Sequence, residues 1–331
     1  MIYRQLGESD VEISAVVFGA WAIGGWWWGG TDDDLAVDAI RAALDCGVTT
    51  IDTAPMYGFG HSEEVVGRAI RGMRDGVVIA TKCGLLWDRT DGEYFFDAKA
   101  PNGEVTPIHR VLKKDSIIKE CEDSLRRLGI DCIDLYQCHW MDGTTPLEET
   151  MSALVQLRDQ GKVRAIGVSN FTAEAIEECC RYGPIASNQP KFSLLDRGNL
   201  SGVISWTHSR GIGTVVYSPL EQGMLTGKVT ADRQFPKGDF RSGQPWFRAP
   251  NRQRALEVLD RDIRPIAEAH DATLAQVAIA WTIGTPGVTA ALVGARTAEQ
   301  VQANAKAANI QLNEQERGGI LAAFEALGDP Q

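Results

Sequence analysis

The sequence predicts an α/β fold, a (β/α)8 TIM barrel, as one domain over residues 1–331. Three observations carry that expectation. Eight short apolar runs alternate with amphipathic stretches along the chain. Parallel neighbours need a helical crossover between them, and the alternation supplies one each time. A chain of 331 residues suits a single large barrel, since such barrels run longer than average domains. A doubly wound sheet also fits the alternation, but eight units of this total length favour closure.

The elements follow in order. "YRQLGESDVEIS" reads as an N-terminal β-hairpin that plugs the barrel bottom. Strands are expected at Val16–Phe18, Thr49–Ile51, Val77–Ala80, Ile133–Gln137, Arg164–Gly167, Ile185–Ser187, Gly213–Val216 and Ala290–Val293. Between them, helical spacing marks Asp33–Cys46, Ser62–Ile70, Lys114–Leu128, Leu147–Gln160, Thr172–Arg181, Leu200–Arg210 and Leu274–Ile283, with a last pair at Ala298–Ala307 and Glu314–Ala326. In "LEETMSALVQLRDQGKV", Leu147, Met151, Leu154, Val155 and Leu157 share one face and Gly161 stops the helix. Two connections are long, Gly84–Val111 and Glu221–Asn251. Both follow strand carboxyl ends, so both overhang the C-terminal face, and long loops in compact domains are usually functional.

Composition narrows the function classes. The formal net charge of −11 repels phosphate backbones, which argues against a nucleic-acid partner. The N-terminus lacks a basic segment leading to an apolar one, and no apolar run approaches the roughly 18 residues of a membrane span. Seven cysteines with no C-x-x-C spacing suit reduced thiols in the cytoplasm. The five histidines show no zinc-ligand spacing, so no metal is expected. The absence of G-x-S-x-G weakens a hydrolase reading.

In a barrel, the carboxyl ends of the strands point into one shared site. There the sequence places Asp52 with Tyr57 on its loop, Lys82, His139, Ser169 and Asn170, Gln189, Tyr217 and Ser218, and Gly294 and Arg296. Any one of these could be an ordinary polar strand end. A lysine directly after "VVIAT" and a histidine directly after "LYQC" are harder to explain that way, because burying either charge is costly without a partner. Asp52 is the expected partner of Lys82, and the ammonium is expected to lower the pKa of Tyr57 and make it a proton donor. The run Gly58-Phe59-Gly60-x-x-Glu63 has a carboxylate where a dinucleotide fingerprint has its third glycine. It reads instead as a tight turn that aims Tyr57, with Ser62 capping the following helix. The better phosphate site is "GARTAEQVQAN", where Arg296 precedes a helix N-terminus.

Together "DTAPMYGFGHSEEVVG", "ATKCG", "DLYQCHW", "IGVSNF", "SNQ", "YSPLEQGMLTGK" and "VGARTAEQVQAN", in this order and over nearly the whole chain, resemble the aldo-keto reductases. The best match is to bacterial NADPH-dependent members related to the potassium-channel β-subunits. The resemblance implies a catalytic tetrad: Tyr57 as proton donor, Lys82 as its charge partner, Asp52 as the partner of that lysine, and His139 as the orienting residue. It also implies cofactor contacts. Ser169, Asn170 and Gln189 match the residues that hold the nicotinamide carboxamide, and Tyr217 matches the ring stacked on it. Ser218, Leu220, Gly223, Leu225 and Lys228 match the pyrophosphate loop. Gly294, Arg296, Gln300 and Asn304 match the adenosine end, and Trp21 joins the cofactor set from the loop after the first strand. The implied cofactor is NADP(H), with NAD(H) as the alternative, because Gly294-Ala295 replaces the Lys-Ser or Ser of many relatives and leaves Arg296 as the obvious group for a 2′-phosphate.

The partner so implied is a small carbonyl compound, an aldehyde or ketone reduced to the alcohol. Trp26, Trp27 and Trp28, with Trp87, Phe95 and Phe96, are the expected substrate wall. Two other classes remain open on the sequence: a cofactor-sensing binding protein of the channel β-subunit kind, with slow turnover, and a metal-dependent or phosphate-binding barrel enzyme.

Overall fold

The structure, a computed structural model, describes residues 1–25, 30, 32–235 and 239–331. Trp26, Trp27 and Trp28 of the expected substrate wall lie outside the described residues. The chain begins with an antiparallel hairpin, β1 (Tyr3–Gln5) with β2 (Glu12–Ser14). Gly7 turns it at a φ of +58°, and any side chain there would come within 2.4 Å of Ala186 O. Leu6, Val11 and Ile13 pack on the inward residues Val17, Ala80, Leu135, Ala165, Val215 and Leu292. The hairpin therefore closes the bottom of the barrel.

The first half continues with β3 (Val16–Gly19), α1 (Asp33–Asp45), β4 (Thr50–Asp52), α2 (His61–Ile70) and β5 (Val78–Cys83). A small excursion follows, β6 (Leu85–Leu86), β7 (Glu93–Lys99) and β8 (Val105–Arg110), before α3 (Lys114–Leu128), β9 (Ile133–Cys138) and α4 (Leu147–Asp159). The second half runs β10 (Val163–Ser169), α5 (Ala173–Cys179), β11 (Ser187–Gln189), α6 (Ser205–Ser209) and β12 (Gly213–Tyr217). It ends with α7 (Ala249–Val258), α8 (Arg264–Ala269), α9 (Leu274–Ile283), β13 (Ala290–Gly294), α10 (Ala298–Ala305) and α11 (Glu314–Leu327).

Eight parallel strands close in the order β3–β4–β5–β9–β10–β11–β12–β13, with β13 returning to β3. Strands covered on both faces read as apolar runs. In β9, Leu135 joins the barrel interior while Tyr136 and Cys138 pack outward with Ile117 and Cys121 of α3. Among the described residues, no helix is long and apolar enough to cross a membrane.

The structure differs from the sequence expectation in three places. Gly84–Val111 is not a bare loop: β6, β8 and β7 form an antiparallel sheet there. The segment after β12 ends in two helices, α7 and α8, whose many charges and Pro265 obscure their apolar spacing. Leu200–Arg210 breaks at Gly202, where non-helical backbone (φ −100°, ψ −114°) separates a wide turn from α6.

Candidate active site

Asp52 ends β4, Lys82 is the penultimate residue of β5, and His139 directly follows β9. Lys82 is fully buried, a position an ammonium tolerates only when paired. Its Nζ donates to Asp52 Oδ1 at 2.5 Å, to Thr53 O at 2.9 Å and to Tyr57 OH at 3.2 Å. Burial alone would lower its pKa; the Asp52 carboxylate and Tyr57 more than offset this and leave it above the ordinary value.

The loop that carries Tyr57 is held by two glycines. A side chain on Gly24 would fall 2.6 Å from the Tyr57 carbonyl carbon, and one on Gly58 would fall 2.5 Å from Gly24 O. This contact aims the phenol at the barrel mouth. Ser62 does not cap α2, which starts from Gly60; its hydroxyl bonds Ala20 O (3.0 Å) and Thr53 Oγ1 (2.9 Å), pinning the loop from below. Glu63 is buried, accepting from Thr81 Oγ1 and Arg127 Nε, each at 2.6 Å.

One electrostatic expectation is corrected. Tyr57 has its pKa raised rather than lowered: burial raises it most, and with Asp52 adding to this outweighs the pull of Lys82. The phenol therefore keeps its proton at neutral pH, and Lys82 stands ready for a phenolate. The His139 ring lies 5.9 Å from that of Tyr57 at 79°. Burial, reinforced by Lys82, holds its pKa well below the ordinary histidine value, so the imidazole is neutral at neutral pH.

Beside this group, β10, β11 and β12 bring together Ser169, Asn170, Gln189 and Tyr217. Tyr217 OH donates to Asn170 Oδ1 (2.9 Å), and Asn170 Nδ2 donates to His139 O (3.1 Å) and Ser169 Oγ (3.0 Å). Ser169 Oγ donates to Gln189 O at 2.9 Å. Asn170 reaches these partners from left-handed backbone, φ +62°. Gln189 Nε2 donates to Asp52 Oδ2 at 2.9 Å, which joins this group to the acid–base chain.

The expected phosphate residues divide. Ser218 (φ +58°) accepts from Gln222 Nε2 at 3.1 Å, and Gly223 faces open space. Leu220 is partly buried against the core, and Lys228 is exposed. Leu225 is fully buried, and its N–H donates to Leu220 O at 3.2 Å. Gly294 pairs with Gly19 at the mouth, and Thr297 caps α10. Arg296 is exposed, its backbone N–H held by Gln300 Oε1 at 2.9 Å. Burial and then Arg241 lower the Arg296 pKa, while Asp239 opposes them. Asn304 lies on α10, partly buried. Trp21 meets Phe240 edge-on at 5.8 Å, which brings the segment after β12 back across the end of β3.

The described aromatic residues expected in the substrate wall cluster beside the Tyr57 loop. Trp87 packs edge-on against Phe59 of the Tyr57 loop at 5.0 Å, and Phe95 lies 5.2 Å from Trp140, the residue after His139. With Phe96, Met56, Leu85 and Ile108 they form one cluster built on the β6–β8 sheet. The sequence reading missed Trp140, although it sits next to a named site residue. It also missed Gln137, an inward polar residue two positions before His139.

The donor set fits a nicotinamide dinucleotide. Gln189 is buried, yet its Oε1 accepts no hydrogen bond among the described residues, which suits a carboxamide donor. Tyr217 offers a ring beside it, and Arg296 offers a cation at a helix start.

Comparison with known proteins agrees with this geometry. The model of the Aldo/keto reductase family matches residues 15–323. Aldo-keto reductase YhdN of Bacillus subtilis is 37% identical, covering 100% of this chain and 96% of the relative. The NADH-specific methylglyoxal reductase of Escherichia coli is 38% identical over 97% of this chain and 98% of its own. Among solved structures, the glycerol dehydrogenase AKR11B4 of Gluconobacter oxydans superposes with a TM-score of 0.88 at 37% identity, covering 99% of this chain and 96% of that one.

Proposed function

The chain belongs to the aldo/keto reductase family, and from that premise we propose that it reduces aldehydes or ketones to alcohols, with NADPH as the preferred reductant and Tyr57 as the proton donor. The observation that carries the reading is the buried Lys82, which bridges Asp52 at 2.5 Å and Tyr57 at 3.2 Å.

The reduced dinucleotide, when bound, supplies the hydride for the carbonyl carbon. Tyr57 gives its proton to the carbonyl oxygen as charge develops there. Lys82, kept charged by Asp52, stabilises the phenolate left behind, in a site where low dielectric strengthens the effect. Neutral His139 would donate a hydrogen bond to the same oxygen and orient it. Ser169, Asn170 and Gln189 would hold the carboxamide, and Tyr217 the nicotinamide ring. The Phe59–Trp87 and Phe95–Trp140 pairs supply an apolar wall, which favours aromatic or sugar-like carbonyl compounds. Arg296 is the cation offered to a 2′-phosphate, with Arg241 adding to the local positive field. A relative named as NADH-specific makes NADH the second reductant to be tried.

The test is steady-state oxidation of NADPH and NADH with a panel of aromatic, sugar and short-chain carbonyl compounds. Sustained turnover supports the reading. Binding of either dinucleotide without turnover on any member would favour a cofactor-sensing role instead.

A further inference from the structure

Below the acid–base chain lies a polar connection that the chemistry above does not use. Gln137, on β9, is fully buried inside the barrel, level with Lys82 on the neighbouring strand. Its Nε2 donates to Asp52 Oδ2 at 3.3 Å, and its Oε1 accepts from Gln189 Nε2 at 3.2 Å. Gln189 Nε2 also donates to Asp52 Oδ2, at 2.9 Å. Room for this layer comes from Gly167 on β10, where a side chain would lie 3.0 Å from Gln137 Cγ.

The polarity of the network follows from chemistry. The Asp52 carboxylate, paired with Lys82, can only accept. Each glutamine that reaches it must therefore present its NH2 group. That turns Gln137 Oε1 away from Asp52 and makes it an acceptor for the second hydrogen of Gln189 Nε2. Both hydrogens of Gln189 are then committed, and its Oε1 is left as an acceptor. We propose that Gln137 is a positioning residue: it locks the Gln189 amide so that the carbonyl oxygen meets the carboxamide NH2 of the dinucleotide. Selectivity for a carboxamide is thereby tied to the Asp52–Lys82 pair. The inference rests on the dinucleotide reading above.

The test is a binding experiment on the full chain. Dissociation constants for NADH and for its reduced 3-acetylpyridine analogue, which has no amide NH2, are measured by tryptophan-fluorescence titration. Wild type, Gln137→Leu, Gln189→Leu and the double variant are compared. A neutral hydrogen bond contributes roughly 0.5–1.5 kcal/mol, so Gln137→Leu should reduce the preference for NADH over the analogue by roughly two- to twelvefold. Because Gln137 acts through Gln189, the double variant should lose no more of that preference than Gln189→Leu alone. Equal weakening of both dinucleotides in Gln137→Leu, or losses that add in the double variant, would overturn the proposal. Should Gln137→Leu fail to fold by circular dichroism, Gln137→Met carries the same comparison. Should wild type bind only NADPH, the same comparison is made with NADPH and its reduced 3-acetylpyridine analogue. Binding of none of these dinucleotides, NADPH included, would defeat the underlying reading, and this inference with it.

Discussion

Lys82 Nζ donates to Tyr57 OH across 3.2 Å from a position with no solvent exposure. In the proposed reaction this pair sets the acid–base chemistry, because burial keeps the phenol protonated and the ammonium lowers the cost of removing that proton. Replacing Tyr57 with Phe keeps the ring and removes the acid. General acid catalysis is worth roughly 10²–10⁴-fold, so the turnover number of Tyr57→Phe should fall by that order while dinucleotide binding persists. Single-turnover kinetics reads this directly, and a chemical step near the wild-type rate would remove Tyr57 from its role.

Asp52→Asn tests the other side of Lys82. The change leaves a buried ammonium without its counter-charge, and breaking such a pair costs about 3–5 kcal/mol. In the wild type the Lys82 pKa is raised above its ordinary value of 10.5. Its stabilising effect is therefore fully present below that value and is lost as pH rises through the folded-state pKa. The stability gap between wild type and Asp52→Asn should be widest near neutral pH and should narrow in strong alkali. Urea unfolding at both ends of that range measures it, and a gap independent of pH would mean that the loss comes from packing.

Gly24→Ala probes how the acid is aimed. The added methyl would sit 2.6 Å from the Tyr57 carbonyl carbon, so the loop must move while the barrel strands need not. A displacement of about 1 Å can cost on the order of 10²-fold in rate. The expected result is a sharp fall in kcat with an unchanged far-ultraviolet circular dichroism spectrum.

Glu120 offers a pH test outside the chemistry. Buried behind β5, it accepts from Gly84 N at 2.8 Å and Ser116 Oγ at 3.1 Å. Burial pushes its carboxyl up to about 8, against the opposing pull of those two donors. A folded-state pKa above the unfolded one gives stability that is present below about 4.5 and lost as pH rises through about 8. At roughly 1.4 kcal/mol per unit, the loss is on the order of a few kcal/mol. Glu120→Gln should abolish it, so the variant should overtake wild type in melting temperature toward pH 8. Parallel curves from pH 5 to pH 9 would contradict the assignment.

The sequence made the barrel and its acid–base residues legible because both depend on local pattern. "IDLYQCHW" is an apolar run with a polar end, and that pattern alone puts His139 at the mouth. Asp52 and Lys82 end apolar runs in the same way, and Tyr57 lies on the loop that follows Asp52. Features that depend on tertiary environment were not legible. The direction of the Tyr57 shift turns on how deeply the phenol is buried. Gln137 looked like an ordinary residue in a strand, because a buried parallel strand lacks the alternation that would mark its inward face. The β7–β8 hairpin carries no clear alternation, since its strands are only partly buried and Phe95 meets Trp140 across the fold.

The proposed preference for NADPH rests on Arg296. It stands at the start of α10 in a chain of net charge −11, where a phosphate needs a local cation. A hydrogen bond to a charged group contributes about 1.5–3 kcal/mol, or roughly 10–150-fold in affinity. Arg296 is exposed, so solvent and salt pull the effect toward the lower end. Its neighbours act in opposite senses: Arg241 adds positive charge, while Asp239, held by Arg241 through Nε at 2.9 Å and Nη2 at 2.6 Å, subtracts it. Arg296→Ala should weaken NADPH about tenfold and leave NADH nearly unchanged, because NADH lacks the phosphate. Fluorescence titration of both at fixed ionic strength measures this, and the NADPH loss should shrink as salt is raised. Equal losses for the two dinucleotides would mean that Arg296 supports the turn or the adenine rather than the 2′-phosphate, and the preference for NADPH would then lose its physical basis.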